Sequence, residues 1–282
     1  MKKYDNVRKL IAALHKPKRV RHHDGQAVAT IVNDKTPFII REGYKTARTN
    51  IIFSVSGINK SGCKIIAVTS ANPGEGKTTS TLNLAITFAQ TGGRVLAIDG
   101  DLRKPRLHRY LGLKKDVGLS SVLSQQVTID KAIIKNARPG LDILPSGELP
   151  PNPAELLSSD AMMNILEQIS GDYDYIFFDT PPVTVVTDAV ALSPLVDGVM
   201  VVVRQNYTDH ESLATAVNLL NIAKAKVLGF FVNDAVSART GYGYNGYRYK
   251  YGRRYGYKYG YKYGYGYGYS DPMPKEASTE KK

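Results

Sequence analysis

The residues Ala71-Asn72-Pro73-Gly74-Glu75-Gly76-Lys77-Thr78-Thr79 have the types and spacing needed to hold phosphate. The stretch nearly matches G-x-x-x-x-G-K-[ST], with Ala71 where the first glycine is usual. Gly74 and Gly76 let the backbone turn its N–H groups inward around anionic oxygens. A helix starting near Lys77 aims the positive end of its dipole at the same anion. Lys77 supplies a point charge for the β- and γ-phosphates of a nucleotide, and the Thr78 hydroxyl is a ligand for Mg²⁺. Asn72, Gly74, Glu75, Gly76, Lys77, Thr78 and Thr79 are thus the candidate ATP contacts. The competing reading is an ordinary Gly-rich turn, and the strand before the loop and the helix after it argue against that.

Carboxylates follow on two further apolar segments. One ends Ala97-Ile98-Asp99-Gly100-Asp101-Leu102-Arg103 and the other Ile176-Phe177-Phe178-Asp179-Thr180-Pro181-Pro182. Mg²⁺ takes hard oxygen ligands, which carboxylates at strand tips supply. Asp179 fits the metal-binding acid of a Walker B strand. Two close carboxylates need not both bind metal, so one of Asp99 and Asp101 is free to accept a proton from an attacking hydroxyl. The alternative for this pair is two solvated acids at the start of a loop.

These residues need a scaffold that gathers strand ends. Apolar runs of strand length occur at Lys64–Ser70, Arg94–Asp99, Leu141–Leu144, Tyr175–Asp179, Gly198–Arg204 and Val227–Asn233. Helical patterns run from Pro37 to about Val55, and over Lys77–Thr91, Ala161–Ile169 and Ser212–Ala223, with short pieces at Val7–Leu14, Leu107–Leu111 and Leu119–Leu123. Alternating apolar strands and helices predict an α/β fold, a doubly wound and mostly parallel sheet covered on both faces. Such a sheet binds ligands at the carboxyl ends of its strands, where the motifs fall.

Charge divides the 282 residues further. The net +13 is concentrated at the ends: residues 1–23 carry +7, residues 241–282 carry +6, and 24–240 are neutral. A neutral body argues against specific nucleic-acid binding along a basic face. The expected organisation is a basic flexible arm over 1–36, an ATP-binding domain over 37–240 and a tail over 241–282. Of the 19 tyrosines, 13 lie in the tail: Tyr242, Tyr244, Tyr247, Tyr249, Tyr251, Tyr255, Tyr257, Tyr259, Tyr261, Tyr263, Tyr265, Tyr267 and Tyr269. Alternating with glycine and lacking aliphatic partners, they predict a disordered segment. The single Cys63 excludes an intramolecular disulfide and a Cys-pair iron–sulfur site. No N-terminal apolar run and no stretch of roughly 18–20 apolar residues is present, so a cytosolic chain is expected.

Together these residues resemble the bacterial tyrosine kinases (BY-kinases), in particular the cytosolic CpsD-like type from exopolysaccharide operons. The resemblance spans roughly residues 36–270. Ser70–Thr79 looks like the family's Walker A, Val95–Arg103 its Walker A′ and Ile176–Asp179 its Walker B. Leu144–Gly147 and Pro150–Leu157 look like a recurrent family segment, and the tyrosine cluster like its autophosphorylation tail.

The resemblance implies a P-loop NTPase fold of the MinD/ParA-like type and protein-tyrosine kinase activity with ATP and Mg²⁺. Lys77 and Thr78 would position the nucleotide, and Asp101 and Asp179 would serve the metal with Thr78. Asp99 would be the candidate base, with the split between Asp99 and Asp101 left open. Arg103 would stabilise the transferring phosphate or orient the site. Asn233 falls where relatives contact adenine; a turn asparagine before Asp234 is the equal alternative.

Glu42, Lys45 and Arg48 resemble the family's Glu-x-x-Arg-x-x-Arg oligomerisation motif, with Lys45 in place of the first arginine. That implies self-association into a ring. The implied partners are protein tyrosine substrates, a cognate phosphotyrosine phosphatase and a separate transmembrane activator of the polysaccharide co-polymerase type. The activator would bring a cytoplasmic kinase to the inner membrane face. A MinD/ParA-type partitioning or polymerising ATPase is the alternative. Asn72 and Pro73, at the place of the extra lysine usual in that group, weigh against it.

Overall fold

Six of the apolar runs become strands of one sheet, and the order of those strands sets which loops meet. The computed structural model describes residues 31–56 and 62–235. Two units divide the chain, Met1–Ser237 and Ala238–Lys282. The second unit, with the tyrosine cluster, lies outside the described residues, as does the helix expected over Val7–Leu14.

Helix α1 (Phe38–Ser56) precedes β1 (Lys64–Ser70), α2 (Lys77–Ala89) and β2 (Val95–Asp99). Short helices α3 (Leu107–Leu111), α4 (Leu119–Leu123) and α5 (Ile129–Ala132) lead to β3 (Ile134–Arg138) and β4 (Leu141–Leu144). Then come α6 (Pro153–Leu157), α7 (Asp160–Ile169), β5 (Tyr175–Asp179) and α8 (Asp188–Leu192). A 3₁₀ turn (Ser193–Leu195), β6 (Gly198–Arg204), α9 (His210–Ile222) and β7 (Val227–Asn233) complete the order.

The sheet runs β3-β4-β2-β5-β1-β6-β7. Every neighbouring pair is parallel except β3 with β4. β3 is the strand that apolar runs did not predict. It is short, polar at three of its five positions and exposed at those three, as an edge strand can be. Helix α2 stops at Ala89, two residues before the expected end, and β2 starts at Val95. The close of the expected arm is also packed: Val32 is buried and its N–H donates to Asn83 Oδ1 of α2 at 2.8 Å. Ordered packing therefore begins before Pro37.

Strand alternation builds two cores. Ala67, Ile98, Ile176, Phe178 and Val201 enter one, together with Met162 of α7 and Leu213 of α9. Ile66, Val68, Ala97, Phe177 and Val202 enter the other, beneath Ile51 of α1 and Leu82 and Phe88 of α2. Residues on both faces of the central strands are fully buried, which is why those strands read as unbroken apolar runs. Phe177 meets Phe88 edge-on with ring centroids 5.1 Å apart. Replacing it with alanine removes a ring the surroundings cannot refill. Phe177→Ala is expected to cost about 3–5 kcal/mol in urea denaturation, and a cost below about 1 kcal/mol would contradict this packing.

Candidate active site

The strand order places the tips of β2, β5 and β1 side by side, and all of the predicted acids lie on those tips or just beyond them. Asp99 and Asp179 are register partners on β2 and β5. Thr180 fixes the β5 tip by donating both its N–H (3.0 Å) and its hydroxyl (2.9 Å) to Val68 of β1. Gly100 eases this approach, because a Cβ there would lie 3.0 Å from the Asp179 carbonyl, a tight contact.

Lys77 opens α2 and reaches into this group. Its Nζ donates to Asp101 Oδ2 at 2.9 Å and lies 3.7 Å from Asp179 Oδ1. Burial disfavours the Lys77 ammonium, but Asp179 and Asp101 outweigh it and leave its pKa raised. Asp101 is held from its other oxygen, which accepts the Lys104 N–H at 2.9 Å. Asp99 is fully buried and accepts the Leu107 N–H at 3.1 Å. Burial, with Asp179 beside it, pushes its pKa well above the carboxylate range. Asp179 is raised too, by burial first, with Lys77 opposing.

Both Asp179 oxygens and Asp99 Oδ1 are buried and accept no hydrogen bond. Such orphaned acceptors are costly unless a cation or proton meets them. The donor set therefore fits Mg²⁺, which binds through one or two carboxylates and otherwise through water and phosphate oxygens. Asp179, Asp101 and Thr78, the second residue of α2, are the residues that would hold it. Among the described residues no three His, Cys, Asp or Glu side chains form a protein-only cage.

The phosphate loop has the backbone its glycines predicted, with φ of 81° at Gly74 and 91° at Gly76. Glu75 is fully buried beneath it and accepts the Thr208 hydroxyl at 2.6 Å. Burial raises the Glu75 pKa, against that hydrogen bond. Asn72 is at the rim, its amide 3.5 Å from Asp209 Oδ2. Asn233 ends β7 as expected, and its amide donates to the Glu75 carbonyl at 3.0 Å.

Arg103 makes a two-pronged pair with Asp188, Nε to Oδ2 and Nη2 to Oδ1, each at 3.0 Å. Asp188 is fully buried and was not anticipated. At the start of α8 it reads as an ordinary helix-start acid, and only the fold brings it to Arg103. The pair ties the loop carrying Asp101 to the helix after Asp179. Of the proposed oligomerisation residues, Glu42 and Lys45 pair with each other at 2.7 Å on an exposed face. Arg48 donates to the Thr87 carbonyl of α2 at 2.7 Å.

Asp99 also gives the site a pH dependence. Its folded-state pKa is raised, so its contribution to stability is present at low pH. That contribution is lost as pH climbs from the ordinary carboxylate range through the raised value. Asp99→Asn removes the loss. Its melting temperature relative to the parent chain is expected to be higher at pH 8 than at pH 5. A pH-independent difference in thermal melts would contradict a raised Asp99.

Comparison with known proteins agrees with this geometry. A family model described as an AAA domain matches residues 63–229. Tyrosine-protein kinase YwqD of Bacillus subtilis is 43% identical over 206 residues, covering 73% of this chain and 86% of that protein. A Klebsiella pneumoniae protein named after a cps region is 31% identical over 224 residues, covering 79% of this chain and 31% of that longer one. Among solved structures, the chimerical protein CapA2B2 superposes with a TM-score of 0.71 at 32% identity, over 83% of this chain and 99% of that one. The septum site-determining protein MinD of Pyrococcus horikoshii, solved with Mg-ADP, is more distant. It gives a TM-score of 0.51 at 26% identity, over 60% of this chain and 69% of that one. The fold is thus the MinD/ParA type of P-loop NTPase. With 43% identity over 206 residues and 86% of YwqD covered, this chain belongs to the bacterial tyrosine-protein kinases.

Proposed function

We propose that this kinase moves the γ-phosphoryl group of ATP onto tyrosines between Tyr242 and Tyr269, presented by a neighbouring copy of the chain. The observation that carries the reading is the cluster of Lys77, Asp99, Asp101 and Asp179 beside the phosphate loop. The tyrosine oxygen forms its bond to the γ-phosphorus, the bond to the ADP oxygen breaks, and the phenolic proton passes to a carboxylate. Asp99 is the assigned acceptor, since its Oδ1 accepts no hydrogen bond while both Asp101 oxygens are taken by Lys77 and Lys104. Lys77 and the loop amides balance the charge on the transferring group. Mg²⁺, when bound through Asp101, Asp179 and Thr78, would add charge neutralisation on the β- and γ-oxygens. Arg103, oriented by Asp188, is assigned to the same face.

The tail suits this chemistry by charge. Residues 242–269 carry Arg248, Lys250, Arg253, Arg254, Lys258 and Lys262 and no acid. Each phosphorylation adds about −1.5 to −2 charge, so four bring the window to neutral or below and further ones make it negative. A cationic segment drawn to an acidic site would be repelled once modified, releasing a ring of copies. The exposed side chains of Phe38 and Phe53 on α1, 62% and 72% accessible, support self-association through that helix.

The name of the Klebsiella relative supports a role in capsule or exopolysaccharide synthesis and export. No described helix is long and apolar enough to cross a membrane. Recruitment to the inner membrane face is assigned to a separate transmembrane activator, and reversal to a phosphotyrosine phosphatase. Incubation with ATP·Mg²⁺ and mass mapping of residues 240–282 tests the central claim. Phosphotyrosine is expected in the parent chain and absent from Lys77→Met. ADP release without phosphotyrosine would instead favour the partitioning-ATPase reading.

A further inference from the structure

Carbonyls of the phosphate loop are gripped from outside by side chains with no part in the reaction described above. Tyr207, in the turn after β6, donates its hydroxyl to the Pro73 carbonyl at 3.0 Å. Arg204, the last residue of β6, donates from Nη1 to the Gly74 carbonyl at 3.3 Å. Asn233, the last residue of β7, donates to the Glu75 carbonyl at 3.0 Å. The gripped carbonyls belong to consecutive residues.

A trans peptide points its C=O and the following N–H in opposite directions. No described peptide bond is cis. Holding the carbonyls of Pro73, Gly74 and Glu75 outward therefore turns the N–H groups of Gly74, Glu75 and Gly76 the other way, toward the concave side of the loop. Those are the donors a phosphate needs. On the reading that the loop binds nucleotide phosphates, we infer that Arg204, Tyr207 and Asn233 form an outer brace that presets its amide cradle. They are positioning residues: they act on the ligand through the backbone they hold.

Several details show that the brace is itself held. Asp234 accepts Arg204 Nε at 2.7 Å, and the guanidinium lies over the Tyr207 ring, 5.2 Å from its centroid. Thr208 accepts the Arg204 N–H at 2.9 Å while donating to Glu75 at 2.6 Å, so the turn grips the loop by a side chain as well. A Cβ on Gly76 would collide with the Asn233 amide, so that amide fills the space behind the cradle. The brace gives Asn233 a task that needs no contact with the adenine ring. A base contact would make Asn233 discriminate purines; a brace would not.

The test uses the full chain with Tyr207→Phe and Asn233→Ser, titrated with Mg-ADP and Mg-GDP. Tyr207→Phe keeps the ring on Arg204 and removes only the hydroxyl donor, at a residue 52% exposed. Losing one such hydrogen bond is expected to weaken ADP and GDP by the same factor, roughly 3- to 10-fold, for each variant. The ligand-free melting temperature of Tyr207→Phe should match the parent, while the shift produced by Mg-ADP shrinks. Parent-like ADP affinity in Tyr207→Phe would overturn the brace, as would an Asn233→Ser loss confined to ADP. A parent chain that fails to bind either nucleotide would instead overturn the underlying reading of the site.

Discussion

The Lys77 ammonium lies 2.9 Å from Asp101 and 3.7 Å from Asp179, with Asp99 in register beside Asp179. One cation among these buried carboxylates leaves a surplus of negative charge. Burying charge costs several kcal/mol per ion in practice, and imperfect pairing is punished most. The surplus can be met by a proton, which the raised pKa values of Asp99 and Asp179 favour, or by a divalent cation. It also restricts what may enter. A bare polyphosphate would meet like charge, whereas one arriving with Mg²⁺ brings the missing positive charge and lets Lys77 turn to phosphate oxygens. The acidic cluster thereby couples metal and nucleotide.

Such a cluster is tolerable only if the fold imposes it. The parallel register of β2 with β5 sets Asp99 against Asp179 without side-chain help. Thr180 then fixes the β5 tip on β1, and Gly100 allows the next loop to pass within contact of Asp179. The Arg103–Asp188 pair restrains the loop that carries Asp101. Each is a backbone contact or a charge-assisted one to a buried carboxylate, the kind that tolerates little displacement. The carboxylates are thus held close by a scaffold whose stability comes from the two apolar cores flanking the sheet.

What could be read from the sequence follows from this division. The central strands were legible because burial on both faces makes them continuous apolar runs, and the loop because phosphate geometry demands glycine and lysine at fixed spacing. Asp99, Asp101 and Asp179 were legible as acids at strand ends. β3 was not, because at the sheet edge Lys135, Asn136 and Arg138 are exposed and leave no apolar run. Asp188 was not, because its meaning depends on Arg103, 85 residues away. The hold of Asn233 on Glu75 joins residues 158 apart, and a terminal asparagine reads the same whether it caps, turns or braces. Contacts within a motif show in its spacing; contacts between motifs appear only once the sheet order is known.

The uneven charge of the chain now has a physical context. Residues 24–240 are neutral in sum, yet Asp99, Asp101 and Asp179 gather at the carboxyl ends of β2 and β5 with Lys77 among them. The tail bears +6 and its tyrosine window has no acid. On the proposed reading, unmodified tail and acidic site attract, while modified tail and acidic site repel. The same carboxylates that make the site receptive to Mg²⁺ would then give the reaction its direction, because each transfer adds negative charge to the segment that approached. Since surface electrostatics fade over about 8 Å at physiological salt, this attraction would act only near the site, where the tyrosine must be presented.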